Sequence, residues 1–271
     1  MLAEIEKSLI KTYRKELWSK FVSAVVKYKL ISEFDKIAVC ISGGKDSFLL
    51  AKLMQELKKH NKINFELVFL VINPGYSEQN RQVILDNAKK LGVDIKIFDV
   101  NYFEHVASVE NGSPCYLCAR IRRGVLYSHA RELGCNKIAL GHHFDDVVET
   151  TLLSMLYNGQ LKTMMPKLHS QNYEGLELIR PMYYIREKDI IRWASKFNLQ
   201  FINCACPLYI KRNLNKENES KRYEMKQLIN SLENMNNKFV DNIFTSLKNI
   251  NLNTVIGYEK NGVKHNFLDE Y

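Results

Sequence analysis

One six-residue stretch, Ser42-Gly43-Gly44-Lys45-Asp46-Ser47, restricts the fold more than any other part of the chain. A short β-branched run, Ile37-Ala38-Val39-Cys40-Ile41, precedes it, and Phe48-Leu49-Leu50-Ala51-Lys52-Leu53-Met54 follows. The first run suits a buried parallel strand, and the second has the length and composition of a helix. Adjacent glycines between them let the backbone turn tightly and approach a ligand closely. Amides at the helix start then face outward, with the positive end of the helix dipole behind them. Ser42, Lys45 and Ser47 add hydroxyl and ammonium donors. The stretch reads as a cradle for phosphate or pyrophosphate.

Two commoner nucleotide loops do not match. One needs four residues between its first glycine and Gly-Lys-Ser/Thr, whereas the glycines here are adjacent and Asp46 follows the lysine. The dinucleotide fingerprint needs Gly-x-Gly-x-x-Gly, which the chain lacks. The order Ser-Gly-Gly-Lys-Asp-Ser resembles instead the signature of the PP-loop ATP pyrophosphatase superfamily. That resemblance implies ATP as cofactor, split between adenylyl group and pyrophosphate.

Downstream the pattern repeats strand, helix, strand. Residues 65–73 are apolar enough to be buried on both faces and end in the turn Asn73-Pro74-Gly75-Tyr76. A helix is expected over 77–91, closed by Gly92, before a strand at 95–100 and another at 137–140. Such alternation predicts an α/β fold, a doubly wound parallel sheet. Ligands of such sheets gather beyond the carboxyl ends of the strands, so the loops after 41, 73, 100 and 140 should share one cleft.

The third of those loops carries Pro114-Cys115-Tyr116-Leu117-Cys118, followed by Arg120, Arg122 and Arg123. A Cys-x-x-Cys pair can chelate a metal or a cluster edge, and it also suits a redox dithiol. The fourth loop carries Gly141-His142-His143-Phe144-Asp145-Asp146. Its aspartates could cap a helix over 147–156, but the whole cluster reads better as a site for ATP, Mg²⁺ and substrate. A further helix is expected near 187–198, and the run 199–203 leads to Cys204-Ala205-Cys206-Pro207. One thiolate from this pair would bring the clustered ligands to three, with an open fourth corner.

The remaining segments carry less. Residues 1–30 repeat apolar side chains at Leu2, Ile5, Leu9, Tyr13, Leu17, Phe21 and Val25, a helical stripe whose other faces are basic. The simplest account is a helix packed on the core with a solvated basic face. A basic loop should follow Pro207, then helices near 219–232 and 236–250; the segment from Gly257 shows no readable chemistry. Net charge is +9, which suits a polyanionic partner. No run of 18 apolar residues is present, and the N-terminal residues lack signal-peptide organisation, so a cytoplasmic protein is expected. Disulfides are then the less expected use of the six cysteines; Cys40 and Cys135, in or beside strand-like runs, read as core residues.

Several motifs taken together resemble the tRNA 2-thiocytidine biosynthesis family. They are the glycine loop, Pro-Cys-x-x-Cys with its Arg-x-Arg-Arg-Gly-x-Leu-Tyr, Gly-His-His-x-Asp-Asp, Arg-Pro-x-x-Tyr-x-Arg-Glu-Lys-Asp-Ile, and the late cysteine pair. The likeness spans about residues 37–207. It implies an adenine nucleotide alpha hydrolase-like domain over 31–207, an N-terminal helical segment over 1–30, and a basic loop with C-terminal helices over 208–271. It also implies adenylation of O2 of a cytidine in the tRNA anticodon loop and its replacement by sulfur, with a [4Fe-4S] cluster. By that resemblance Ser42, Gly43, Gly44, Lys45, Asp46 and Ser47 hold ATP, with Gly141 and His142 beside them. Asp46, Asp145 and Asp146 serve Mg²⁺ and the adenylylated intermediate. Cys115, Cys118 and Cys206 are cluster ligands, although Cys204 competes for the third place because this chain has Cys-x-Cys where the family commonly has Cys-x-x-Cys. Implied partners are tRNA and a sulfur donor, either a cysteine desulfurase or sulfide; no membrane is implied, and a homodimer would be unsurprising. An alternative keeps ATP activation but makes the cysteines a structural zinc site, giving a tRNA-modifying ligase or amidotransferase.

Overall fold

The computed structural model describes residues 1–60, 63–100, 114–202 and 221–269, without the side chains of 114–116 and 119. Two compact units divide the chain: residues 1–147 with 164–220, and 148–163 with 221–271. The first holds a six-stranded sheet in the order β3-β2-β1-β4-β6-β5. Its strands are β1 (Lys36–Ile41), β2 (Glu66–Asn73), β3 (Ile95–Asp99), β4 (Lys137–Ala139), β5 (Lys167–His169) and β6 (Glu177–Ile179). All neighbours run parallel except β5, which is antiparallel to β6. The expected α/β fold is the one observed.

Alternation along β1 feeds both faces of the sheet. Ile37, Val39 and Ile41 enter one core cluster with Phe69, Val71, Ala139 and Ile179, while Ala38 enters another with Leu70, Ile72, Ile138 and Leu178. Helices α3 (Lys45–His60), α4 (Glu78–Leu91) and α7 (Glu187–Lys196) supply Phe48, Ile84 and Trp193 to the first cluster. Helix α5 (Pro114–Glu132) supplies Leu126, Tyr127 and Ala130 to the second. Local signals fix α4: the Ser77 hydroxyl caps its start by accepting from Asn80 N, and Gly92 ends it in the left-handed region at φ 61°.

The N-terminal stripe has an unusual period. From Ile5 to Val25 its apolar positions recur every four residues, yet a four-residue step overshoots an α-helical turn by about 40°. Six such positions would wander off the core. Between α1 (Leu2–Lys7) and α2 (Ser19–Lys27) the helix contains two π-type turns, Ser8–Thr12 and Arg14–Trp18. Tyr13 N donates to Ser8 O at 2.8 Å and Trp18 N to Tyr13 O at 3.4 Å, both five residues back. The wider turns cancel the overshoot. Ile5, Leu9, Tyr13, Leu17, Phe21 and Val25 are all buried in the first cluster as a result. The basic side chains Lys11, Arg14, Lys15 and Lys27 are exposed, so this helix packs on the core as its stripe implies.

The second unit contains α8 (Lys221–Met235) and α9 (Phe239–Ser246), which bury Met225, Ile229, Val240 and Phe244. Lys221 lies 4.3 Å from the Tyr157 ring centroid, and the Tyr157 hydroxyl donates to Glu224. Beyond α9 the structure has a hairpin that the sequence reading did not expect. Strands β7 (Gly257–Lys260) and β8 (Val263–Asn266) pair antiparallel across Asn261 and Gly262, both at positive φ, with Tyr258 stacked on His265.

Candidate active site

The strand order reverses between β1 and β4, and this is where a doubly wound sheet opens its ligand crevice. The loop after β1 carries Ser42 to Ser47, and the loop after β4 carries Gly141 to Asp146. Two glycines let the loops approach. Gly43 has φ 86°, and a Cβ there would overlap the Ile202 side chain. At Gly141 a Cβ would lie 3.1 Å from Asp46 C and 3.2 Å from Ser47 N, so a side chain there would press the backbone of the first loop back by a few tenths of an ångström.

Within the first loop the two serines differ. Ser42 is exposed, and its amide donates to Ser47 Oγ at 3.1 Å. Ser47 is buried, and its hydroxyl donates to Gly44 O at 2.8 Å, so it holds the loop's shape rather than facing solvent. Ile202 N donates to Gly43 O at 3.3 Å, which seats the chain segment ahead of the late cysteines on this loop.

The charged groups converge around Lys45 and Asp46. Lys45 Nζ lies 2.9 Å from Glu187 Oε1 and 3.2 Å from Asp46 Oδ2. Burial works to lower the Lys45 pKa, but the Asp46 and Glu187 carboxylates outweigh it and hold the pKa above its ordinary value. Burial is the largest influence on Asp46 and raises its pKa, against the pull of Lys45 and His143. Asp46 Oδ1 is buried without a hydrogen-bond partner. His143 is also buried, with Nε2 3.5 Å from Asp146 Oδ2 and 4.0 Å from Asp46 Oδ1, and Nδ1 3.7 Å from Asp145 Oδ2. Three aspartates thus surround one imidazole.

Asp145 and Asp146 have distinct local duties. Helix α6 (Phe144–Asn158) starts three residues earlier than the sequence reading placed it. Asp146 sits at its third position and accepts from His143 N at 2.9 Å, the reach-back half of a capping box. Asp145 accepts from Arg186 Nε at 3.0 Å and from Glu187 N at 2.6 Å, one bond on each oxygen. It thereby ties the start of α7 to the start of α6. His142 Nδ1 accepts from Arg180 Nε at 3.2 Å, and Arg180 also donates to Met165 O. Burial pushes the Arg180 pKa down to about 10.

The cysteine stretch is helical from Pro114, although the sequence reading put it on a loop. Proline suits a first helical position, where the missing amide has no intrahelical partner to lose. Positions 115 and 118 are therefore three apart in one helix, a spacing that shares a face. Cys118 is half-buried beside the second core cluster, with Leu117 and Ile121. The charge of Arg122 is felt at Cys40, and that of Arg123 at Tyr127 and Arg180. Burial pushes the Cys40 and Cys135 thiols up, as expected of core residues. The Cys115 side chain, Cys204 and Cys206 lie outside the described residues. Sequence reasoning placed His143 within the cluster for ATP, Mg²⁺ and substrate, and assigned no role to Arg180, Arg186 or Glu187. The last three stand in the Arg-Pro-x-x-Tyr-x-Arg-Glu-Lys-Asp-Ile motif, which marked a resemblance but gave no partner.

Comparison with known proteins agrees with this geometry. A family described as the PP-loop domain matches residues 13–231. The tRNA-cytidine(32) 2-sulfurtransferase of Aliivibrio fischeri (strain MJ11) is 38% identical over 231 residues, covering 84% of this chain and 72% of the relative. The protein of the same name from Citrifermentans bemidjiense is 34% identical over 230 residues, covering 84% of this chain and 87% of the relative. Among solved structures, the U34-tRNA thiolase NcsA from Methanococcus maripaludis with its [4Fe-4S] cluster superposes with a TM-score of 0.64 at 22% identity. That match covers 86% of this chain and 79% of the thiolase, a likeness of fold.

Proposed function

The chain belongs to the PP-loop family and, within it, to the tRNA 2-thiocytidine biosynthesis family, and from that premise we propose that it is an ATP-dependent tRNA sulfurtransferase making 2-thiocytidine. Its relatives are named for cytidine 32 of tRNA, and that base is the substrate we assign. The observation that carries the reading is the meeting of Lys45, the half-buried Asp46 carboxylate and the Asp146–His143 pair at the β1/β4 reversal.

The chemistry requires such a place. A pyrimidine carbonyl oxygen leaves poorly from C2. Attack of that oxygen on the α-phosphorus of ATP expels pyrophosphate and turns the oxygen into part of AMP, which leaves as sulfur bonds to C2. Charge builds on the phosphate oxygens, where amides of the loop and Lys45 can stabilise it. The target base must be splayed out of its helix, which an anticodon loop permits. A net charge of +9 suits the tRNA backbone, and affinity should fall steeply with salt.

Asp46 fits Mg²⁺. Its orphaned buried Oδ1 lacks a hydrogen-bond partner that a cation would supply, and Asp146 approaches the same His143 Nε2, at 3.5 Å against 4.0 Å for Asp46. Mg²⁺ commonly takes one or two carboxylates plus substrate phosphates and would neutralise them. Asp145 fits it less well, since both its oxygens already accept bonds, and we assign it the positioning of Arg186 and Glu187.

The thiols fit a [4Fe-4S] cluster by number and spacing: Cys115 and Cys118 from one helix, and Cys206 or Cys204 from the segment after Ile202. Arg122 and Arg123, on the same helix, would supply positive charge to offset a cluster's negative charge. When bound, such a cluster would hold sulfide away from water until it is delivered. Covalent geometry limits the chain from Ile202 to about 7 Å for Cys204 and about 14 Å for Cys206, so the third ligand is tethered to the nucleotide loop through Gly43.

The test is anaerobic purification of wild type and of C118A, C204A and C206A, with iron and sulfide assays. Each protein is then incubated with tRNA, ATP, Mg²⁺ and sulfide, and nucleosides are read by mass spectrometry. Wild type should be brown, hold about four irons and form 2-thiocytidine; C118A and one of the other two should lose both properties. A colourless protein holding one zinc, or thiolation undiminished in C118A, would overturn the sulfur-transfer reading.

A further inference from the structure

The lysine of the phosphate loop already holds two carboxylates. Lys45 Nζ is 2.9 Å from Glu187 and 3.2 Å from Asp46, so both carboxylates bear on one ammonium. Glu187 is the first residue of α7, and 142 positions separate it from Lys45. Three bonds hold the start of α7, one of them from the Glu187 amide. Phe144 N donates to Ile185 O at 2.9 Å, Arg186 Nε to Asp145 Oδ1 at 3.0 Å, and Glu187 N to Asp145 Oδ2 at 2.6 Å. The Arg186 guanidinium also covers the Phe144 ring at 4.8 Å.

We propose that Glu187 is a specificity-determining residue of the phosphate loop, occupying Lys45 as a phosphate oxygen would and turning away polyphosphates that bring no cation. The argument is electrostatic. A bare polyphosphate must displace a carboxylate from Lys45 while a net negative charge remains beside it, and like charges at this range in a half-buried site repel strongly. A polyphosphate carrying a divalent cation brings its own compensation, and the Asp46 oxygen that lacks a partner is turned to advantage. Release of Glu187 is eased by its position, since a carboxylate in the first turn of a helix is favoured by the helix dipole. The gate can open without moving α7.

This rests on reading the loop as a polyphosphate cradle, and it makes no use of tRNA. Calorimetric titration of inorganic pyrophosphate into the protein tests it, once in EDTA and once in excess Mg²⁺. In EDTA, E187Q should bind about tenfold tighter than wild type, while in Mg²⁺ the two should agree within about threefold. The charge-conserving E187D should stay near wild type in both. Should E187Q fold poorly, E187S keeps an oxygen at the helix start without the charge and must show the same gain. Equal or weaker binding of the neutral variant in EDTA would overturn the proposal, as would an equal gain in both conditions. Pyrophosphate ignored by every form would also overturn it, together with the cradle; a failed thiolation assay alone would leave the result standing.

Discussion

Strands β1 and β4 carry an ion cluster at each end, and the two are built on opposite terms. At their amino ends Lys137 is buried and saturated. Its ammonium reaches Asp35 at 2.8 Å, Glu177 at 3.3 Å and Leu30 O at 2.9 Å. Asp35 in turn accepts from Ser32 N at 2.6 Å and Asn136 Nδ2 at 2.7 Å. At their carboxyl ends Lys45 and Asp46 are only partly covered, and one Asp46 oxygen and His143 Nδ1 are buried without hydrogen-bond partners. A buried polar group left unmatched costs stability, so a site that keeps some unmatched is shaped by something other than stability. The closed cluster holds the sheet together; the open one waits for a ligand.

Breaking the closed cluster should have the largest effect. Lys137→Ala leaves two buried carboxylates facing each other and should cost about 3–5 kcal/mol; denaturant unfolding reads it, and pyrophosphate affinity of the folded fraction should hold. Asp46→Asn attacks the open cluster and should give the reverse pattern. It should lower thiolation by about 100-fold or more, as loss of a charge-stabilising group at a phosphoryl site does, while the melting temperature stays level or rises. A fall in melting temperature like that of Lys137→Ala would erase the contrast between the two ends.

A third cluster sharpens the comparison because it is saturated yet open to water on one side. Glu6 on α1 accepts from the buried Lys52 at 2.9 Å and lies 2.8 Å from Lys59. Burial works to raise the Glu6 pKa, but the hydrogen bonds from Lys59 and Lys52 overcome it and leave the pKa below its ordinary value of 4.5. A carboxylate with a depressed folded-state pKa contributes stability that is fully present above the unfolded pKa and lost as pH falls through the folded one. Glu6→Gln should therefore cost about 1–3 kcal/mol at neutral pH, and the difference from wild type should shrink as the pH drops below 4.5. A pH-independent difference would mean that packing, not charge, holds α1 down.

Much of the open end was legible in the sequence because it is local. Ser42 to Ser47 is contiguous, and its strand and helix neighbours announce themselves by composition. Ser77 and Gly92 likewise mark α4 by chemistry that acts within one turn. Other local signals were present and went unread. Asn261-Gly262 between two short alternating runs is a strong hairpin signal, and Pro114 suits a helix start better than a loop. Asp146 three residues after His143 is an acid placed to reach back to a helix cap, which is why α6 begins at Phe144. The Lys45–Glu187 and Asp145–Arg186 pairs are another matter. Nothing in a sequence says that residues 142 or 41 positions apart share a hydrogen bond; the sheet order decides it.

The two wide turns of the first helix set limits on what the gene can lose. A π turn is one residue longer than an α turn, so an in-frame deletion of one codon within Ser8–Thr12 would let it close as ordinary helix. The helix would survive with its phase kept, because the lost residue is the one that the wide turn absorbs, so Ile5 would stay in the core and Glu6 on Lys52. The same deletion within the regular helix Ser19–Lys27 would instead swing everything before it by about 100° around the axis. The segment tolerates a lost residue where it is wide and not where it is regular.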